Sequence, residues 1–92
     1  MIRTFRHKGL KRLFETGSAR RVSADLVRRL IRQMDILNRA VATQDMNLPG
    51  YRLHELKGDR KGTWSVTVSD NWRLTFTFRD RDAYDVDLED YH

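Results

Sequence analysis

Six side chains of this 92-residue sequence carry groups that could do chemistry together: His54, Lys57, Arg73, Asp90, Tyr91 and His92. Imidazoles exchange protons near neutrality, a carboxylate can take one, and cations stabilise the extra negative charge of a phosphoryl transition state. The set suits phosphoryl transfer better than acyl transfer, since there is no cysteine and no Gly-x-Ser-x-Gly elbow. No Walker loop or Gly-x-Gly-x-x-Gly fingerprint occurs, so no cofactor is expected. His54, Asp90 and His92 lack the short spacing of metal ligands and have cations nearby, so no metal is expected. Each residue also has a plainer reading. His54 could be a hydrogen-bonded strand histidine, Lys57 a solubilising loop residue, Arg73 a cross-strand partner of an acid, and Asp90-Tyr91-His92 a frayed tail.

These residues need elements that bring them to one place, and the hydropathy pattern supplies them. Ile2 and Thr4 alternate with Arg3 and Phe5, as in a short strand. Leu10, Leu13 and Phe14 mark a short helix closed by Gly17. Val27, Leu30, Ile31, Met34, Leu37 and Val41 recur at helical spacing, so the main helix is expected over residues 23–43, with Ser23 as N-cap and Val22 and Val27 as a staple. Its other face carries Arg28, Arg29, Arg32 and Arg39, with Asp25 and Asp35 each four residues before an arginine.

After the Leu48-Pro49-Gly50 turn the period changes from 3.6 to 2. Residues 51–56 read as a strand, and residues 57–62 as a glycine-bounded basic loop that includes Arg60 and Lys61. Trp64, Val66 and Val68, then Trp72, Leu74, Phe76 and Phe78, alternate with polar residues, giving a hairpin with one apolar face and one polar face that contains Arg73. Tyr84, Val86 and Leu88 continue the apolar side, with Asp85, Asp87 and Glu89 outward. Helices first and strands last predict one α+β domain over residues 1–92: a mainly antiparallel sheet of four or five strands with two N-terminal helices packed on one face. His54, Lys57, Arg73 and the chain end would then converge on the uncovered face.

Charge adds a partner class. Residues 1–39 hold 11 Lys or Arg against 3 Asp or Glu, whereas residues 79–92 hold 2 against 6, and the net charge is +5. A basic chain without a lipid-seeking apolar face is drawn to nucleic acid, and Arg28, Arg29, Arg32, Arg39, Arg60 and Lys61 are the expected contacts to RNA or to a ribosome. The absence of cysteine fits a reducing compartment, and with no signal peptide or membrane-length apolar run a cytoplasmic protein is expected.

The segments Arg52-Leu53-His54-Glu55-Leu56-Lys57-Gly58-Asp59-Arg60, Gly62, Trp64-Ser65-Val66, Asn71-Trp72-Arg73-Leu74-Thr75-Phe76 and Asp90-Tyr91-His92 resemble the HigB toxins, the plasmid-maintenance killer proteins of the RelE/ParE superfamily. The resemblance covers essentially the whole chain. It implies a RelE-like, microbial RNase-like α+β fold and a ribosome-dependent mRNA endonuclease that cuts in the A site of the 70S ribosome. It also implies a HigA-type antitoxin. Carried onto this sequence, the functional positions are His54, Asp90, Tyr91 and His92, with Lys57 and Arg73 in support of the phosphate. The expected reaction is metal-independent attack by the RNA 2′-hydroxyl. Glu55 departs from the family pattern, where proline or a small residue is common, and strand alternation turns it away from His54. ParE-like relatives of the same fold poison DNA gyrase without cutting RNA, which is the alternative.

Overall fold

The segment 8–16 carries apolar side chains three and four apart, and it forms helix α1 (Lys8–Thr16), burying Leu10 and Leu13. His7 caps its start: the Nδ1 lone pair accepts the Leu10 N–H at 3.1 Å, so this imidazole has a structural duty. Gly17 ends the helix at φ 79°, with its N–H on the Leu13 carbonyl. Gly9 lies where α1 touches the following loop. A Cβ there would stand 2.8 Å from His7 Cε1, 2.9 Å from Arg21 Cβ and 3.1 Å from the Arg21 carbonyl. Alanine normally stabilises a helix over glycine by roughly 0.5–1 kcal/mol, but this overlap forces backbone to move, which costs roughly 1–3 kcal/mol. Gly9→Ala is therefore expected to lower the thermal midpoint, and a raised midpoint in a circular-dichroism melt would contradict the close approach.

The computed structural model describes residues 1–90, so Tyr91 and His92 lie outside the described residues. Helix α2 (Ala24–Arg39) is shorter than its periodicity predicts and is turned about its axis. Ala40 is already extended, and the Asp45 carboxylate accepts the N–H groups of Val41 and Ala42 at 2.9 and 3.1 Å, drawing the chain into a 3-10 turn, Thr43–Met46. Ser23 precedes the helix without a side-chain cap bond. The buried face is Leu26, Leu30, Gln33, Met34 and Leu37, while Ile31 and Val41 are 48% and 50% exposed. Gln33 explains the rotation. Its amide donates to the Thr67 carbonyl at 2.8 Å, so a polar residue occupies a place that hydropathy gives to an apolar one.

The sheet is an antiparallel meander in the order β1 (His54–Glu55), β2 (Thr63–Thr67), β3 (Trp72–Arg79) and β4 (Asp82–Asp90). Both helices lie against one face, over Val66, Leu74, Phe76, Ala83 and Val86, which are fully buried. The first strand is two residues rather than six, because Tyr51 belongs to a turn and Arg52 adopts φ 50°. The N-terminal segment joins β4 through two isolated parallel bridges, Ile2 to Ala83 and Phe5 to Val86. These cover the open edge of β4 without making a full fifth strand. Asp82 pins this segment, taking the Met1 amine at 2.9 Å and Arg3 Nε at 3.0 Å, and both bonds hold its carboxyl below the usual range.

A bulge corrects the alternation of β4. Thr75 pairs with Asp87 but Thr77 pairs with Tyr84, so Asp85 and Val86 together face Phe76. Asp85 absorbs the extra residue at φ 55° and donates its N–H to Thr4 Oγ1 at 2.8 Å. Consequently Tyr84 joins the polar face, its ring 4.0 Å below the Arg79 guanidinium, instead of sharing a side with Val86.

Candidate active site on the polar face of the sheet

Cross-strand partners in an antiparallel sheet share a face, so the register decides which candidates meet. His54 pairs with Ser65, Ser65 with Thr75, and Thr75 with Asp87; one step along, Thr67 pairs with Arg73 and Arg73 with Glu89. His54, Arg73 and Glu89 therefore share the face away from the helices. Glu55 pairs with Trp64 on the other side, and its carboxylate accepts the Gly62 N–H at 2.8 Å, closing the neck of the basic loop. Asp90 is exposed and pairs with Trp72, so the register puts it on the helix side, not beside His54.

The His54 ring is exposed at the sheet edge, with Nδ1 3.1 Å from the Arg52 carbonyl. A carbonyl oxygen can only accept, so Nδ1 carries the proton. In the neutral ring Nε2 then keeps its lone pair for chemistry. The left-handed conformation of Arg52 aims that carbonyl, and β2 holds the segment through a Thr67 N–H bond to the Tyr51 carbonyl at 2.7 Å. His54 lines a groove of about 600 Å³ with Arg29, Arg52, Thr67, Ser69 and Asp70. A second cleft, of about 410 Å³, continues from Arg29 to Arg28, Arg32 and Tyr51. The basic face of α2 thus adjoins the histidine. Arg29 reaches the Gly50 carbonyl at 3.4 Å, Arg39 is tied to Asp35 at 2.9 Å, and Arg28 and Arg32 are exposed.

Across the sheet lies an ionic cluster. Glu89 accepts both terminal nitrogens of Arg60, at 2.8 and 2.5 Å, Arg73 Nη2 at 3.2 Å and Thr75 Oγ1 at 2.8 Å. Its carboxyl is pulled down to about 2, chiefly by the Arg60 bonds, against a desolvation that pushes the other way. The same pairing raises the Arg60 guanidinium above its ordinary value. Arg60, expected to meet RNA, is paired with Glu89 while its side chain stays 40% exposed. Lys57 and Lys61 stay exposed on either side of the 3-10 turn, Gly58–Arg60, with Lys57 as its N-cap residue.

This cluster has an acid signature. A carboxyl with a lowered folded-state value stabilises fully above its ordinary value of 4.5 and loses that contribution as pH falls toward 2. In urea unfolding the difference between wild type and Glu89→Gln is expected to shrink steadily between pH 5 and roughly pH 2. A difference independent of pH would refute the assignment.

Sequence reasoning did not pick out Arg52 or Glu89 as functional. Arg52 acts through its backbone, which composition does not reveal. Glu89 had a faint signal, since alternation placed it outward like Arg73, but their adjacency depends on strand register.

Residues 3–92 match the family model described as the RelE-like toxin of type II toxin-antitoxin system HigB. The chain is 48% identical to the Endoribonuclease HigB of Proteus vulgaris over 92 residues, covering all of both chains. It is 31% identical to Toxin HigB-1 of Vibrio cholerae over 91 residues, 97% of this chain and 96% of that one. A mutant of YafQ from E. coli has the same fold, with a TM-score of 0.61 at 18% identity, over 99% of this chain and 94% of that one.

Proposed function

The chain belongs to the HigB-like toxins of type II toxin-antitoxin systems, and on that premise we propose that it is a ribosome-dependent endonuclease that cuts messenger RNA in the A site of the 70S ribosome. It is an endoribonuclease and has an antitoxin partner; the proposal makes that partner a HigA-type protein. The reading rests above all on one observation: an imidazole whose Nδ1 is held by a carbonyl presents Nε2 beside a groove flanked by arginines, on the same sheet face as Arg73.

In the proposed reaction the 2′-oxygen bonds to the adjacent phosphorus and the bond from phosphorus to the 5′-oxygen breaks. The 2′ proton goes to a base and the leaving oxygen receives one from an acid, giving a 2′,3′-cyclic phosphate and a 5′-hydroxyl. No water is consumed. His54 serves one of these transfers through Nε2, and the other falls to His92, which with Tyr91 lies outside the described residues, since the register turns Asp90 toward the helix side. Arg73 and Lys57 stabilise the charge that builds on the phosphoryl oxygens. The groove is open, so alignment of the attacking oxygen is supplied by the ribosome, with Arg28, Arg29 and Arg32 on ribosomal RNA phosphates. Such a substrate makes the protein cytoplasmic. Among the described residues no helix is long and apolar enough to cross a membrane.

The test is a defined mRNA incubated with the toxin, with and without 70S ribosomes carrying a vacant A site, followed by mapping of new 5′ ends. Cuts ending in 5′-hydroxyl groups are expected with ribosomes only. Equal cutting of free RNA would remove the ribosome requirement, and no new ends in either arm would overturn the reading.

A further inference from the structure

Four donors converge on the Glu89 carboxylate from two separate parts of the chain. Arg60 arrives from the loop between β1 and β2, Arg73 and Thr75 from β3, and Glu89 itself precedes Asp90 at the end of β4. Thr75 is 1% exposed, so the carboxylate is anchored on a buried hydroxyl as well as on two cations. A surface ion pair needs no such arrangement, and one carboxylate that takes four hydrogen bonds has little freedom left.

The bidentate Arg60 bond has a consequence for Lys57. Arg60 ends the 3-10 turn that Lys57 begins, and the far side of this loop is closed by the Glu55 bond to Gly62. With both ends held, the Lys57 backbone is fixed relative to β3 and β4 even though its side chain is exposed. The Arg73 guanidinium is held by the same carboxylate.

We infer that Glu89 is a positioning residue for RNA cleavage, clamping Arg60 so that the Lys57 turn and the Arg73 guanidinium are held in fixed relation on the face that carries His54. The inference rests on the nuclease reading above and gives Arg60 the part of a strut, not an RNA contact.

The test compares wild type, Glu89→Gln, Arg60→Ala, Arg60→Lys and the Glu89→Gln/Arg60→Ala double variant in single-turnover cleavage of ribosome-bound mRNA. Glu89→Gln and Arg60→Ala are each expected to lose roughly tenfold or more in maximal rate with little change in half-saturation, because alignment is lost and not affinity. Arg60→Lys should recover part of the rate. The double variant should be no slower than the worse single one, since both break one clamp. The salt dependence of binding should be the same for Arg60→Ala as for wild type. A direct phosphate contact would lower that slope by about 0.7–0.9, so such a drop would overturn the strut. Wild-type maximal rates in both single variants, or a loss confined to half-saturation, would also overturn the inference. One readout is independent of cleavage: the guanidinium N–H signals of Arg60 in nitrogen-15 spectra should be sharp in wild type and collapse in Glu89→Gln. Their persistence would refute the clamp outright, whereas a wild type that shows the clamp but cuts nothing would refute the nuclease reading instead.

Discussion

Replacing His54 with alanine is expected to leave a folded protein that no longer cuts mRNA at a useful rate. Loss of a positioned acid or base lowers the rate by roughly 10²–10⁴-fold. The fold should survive because the ring is exposed at the edge of a two-residue strand and, among the described residues, makes a single bond, to the Arg52 carbonyl. Giving up one such exposed bond costs about 0.5–1.5 kcal/mol at most. The measurement pairs a thermal melt with single-turnover cleavage on ribosomes, alongside a growth assay on induction. A well-folded His54→Ala protein that keeps more than a tenth of the wild-type rate would remove the imidazole from the mechanism. Undiminished toxicity without cleavage would point to a binding poison of the gyrase-directed kind.

Phe76→Ala is expected to have the largest effect on stability. Phe76 is the bulkiest fully buried side chain among the described residues, lies in the middle of β3, pairs with Trp64 and faces the β4 bulge. Truncating a buried phenylalanine costs about 3–5 kcal/mol through lost transfer energy and the cavity left behind. A domain of this size has only about 5–15 kcal/mol in total. With each kcal/mol worth about 4–8 °C in a small domain, a fall of roughly 12–40 °C in the melting midpoint follows. Ile31, 48% exposed on α2 despite its helical spacing, is the control: Ile31→Ser should change stability by no more than about 0.5 kcal/mol. A loss of under about 5 °C for Phe76→Ala, or a comparable loss for Ile31→Ser, would mean that the core is not centred where the sheet and α2 place it.

The two substitutions bracket how far the order of residues carried the argument. Alternation from Trp64 to Phe78 identified the β2–β3 hairpin and its apolar face, and Leu10, Leu13 and Gly17 identified α1 with its stop. These signals are local, because a side chain's direction within a regular element depends only on the backbone period. Gln33 and Ile31 exchanged expected places because a hydrogen bond across the fold, to Thr67, outweighs hydropathy at one helix position. Tyr84 changed face because one residue, Asp85, can adopt a positive φ when Thr4 holds its N–H. The strand before Leu56 shrank to two residues once Arg52 took up a left-handed turn.

The candidate site divides in the same way. The chain's own order determined the kinds of group available, two imidazoles and a set of cations suited to phosphate chemistry, and the family to which it belongs. Only the tertiary structure decided that His54, Arg73 and Glu89 share a face while Asp90's register places it on the other, and that Arg60 pairs with Glu89. The physical reason is that residue type is a property of one position, whereas register, loop closure and ion pairing are relations between positions far apart in sequence, settled by which pairs of groups the packed core allows to meet.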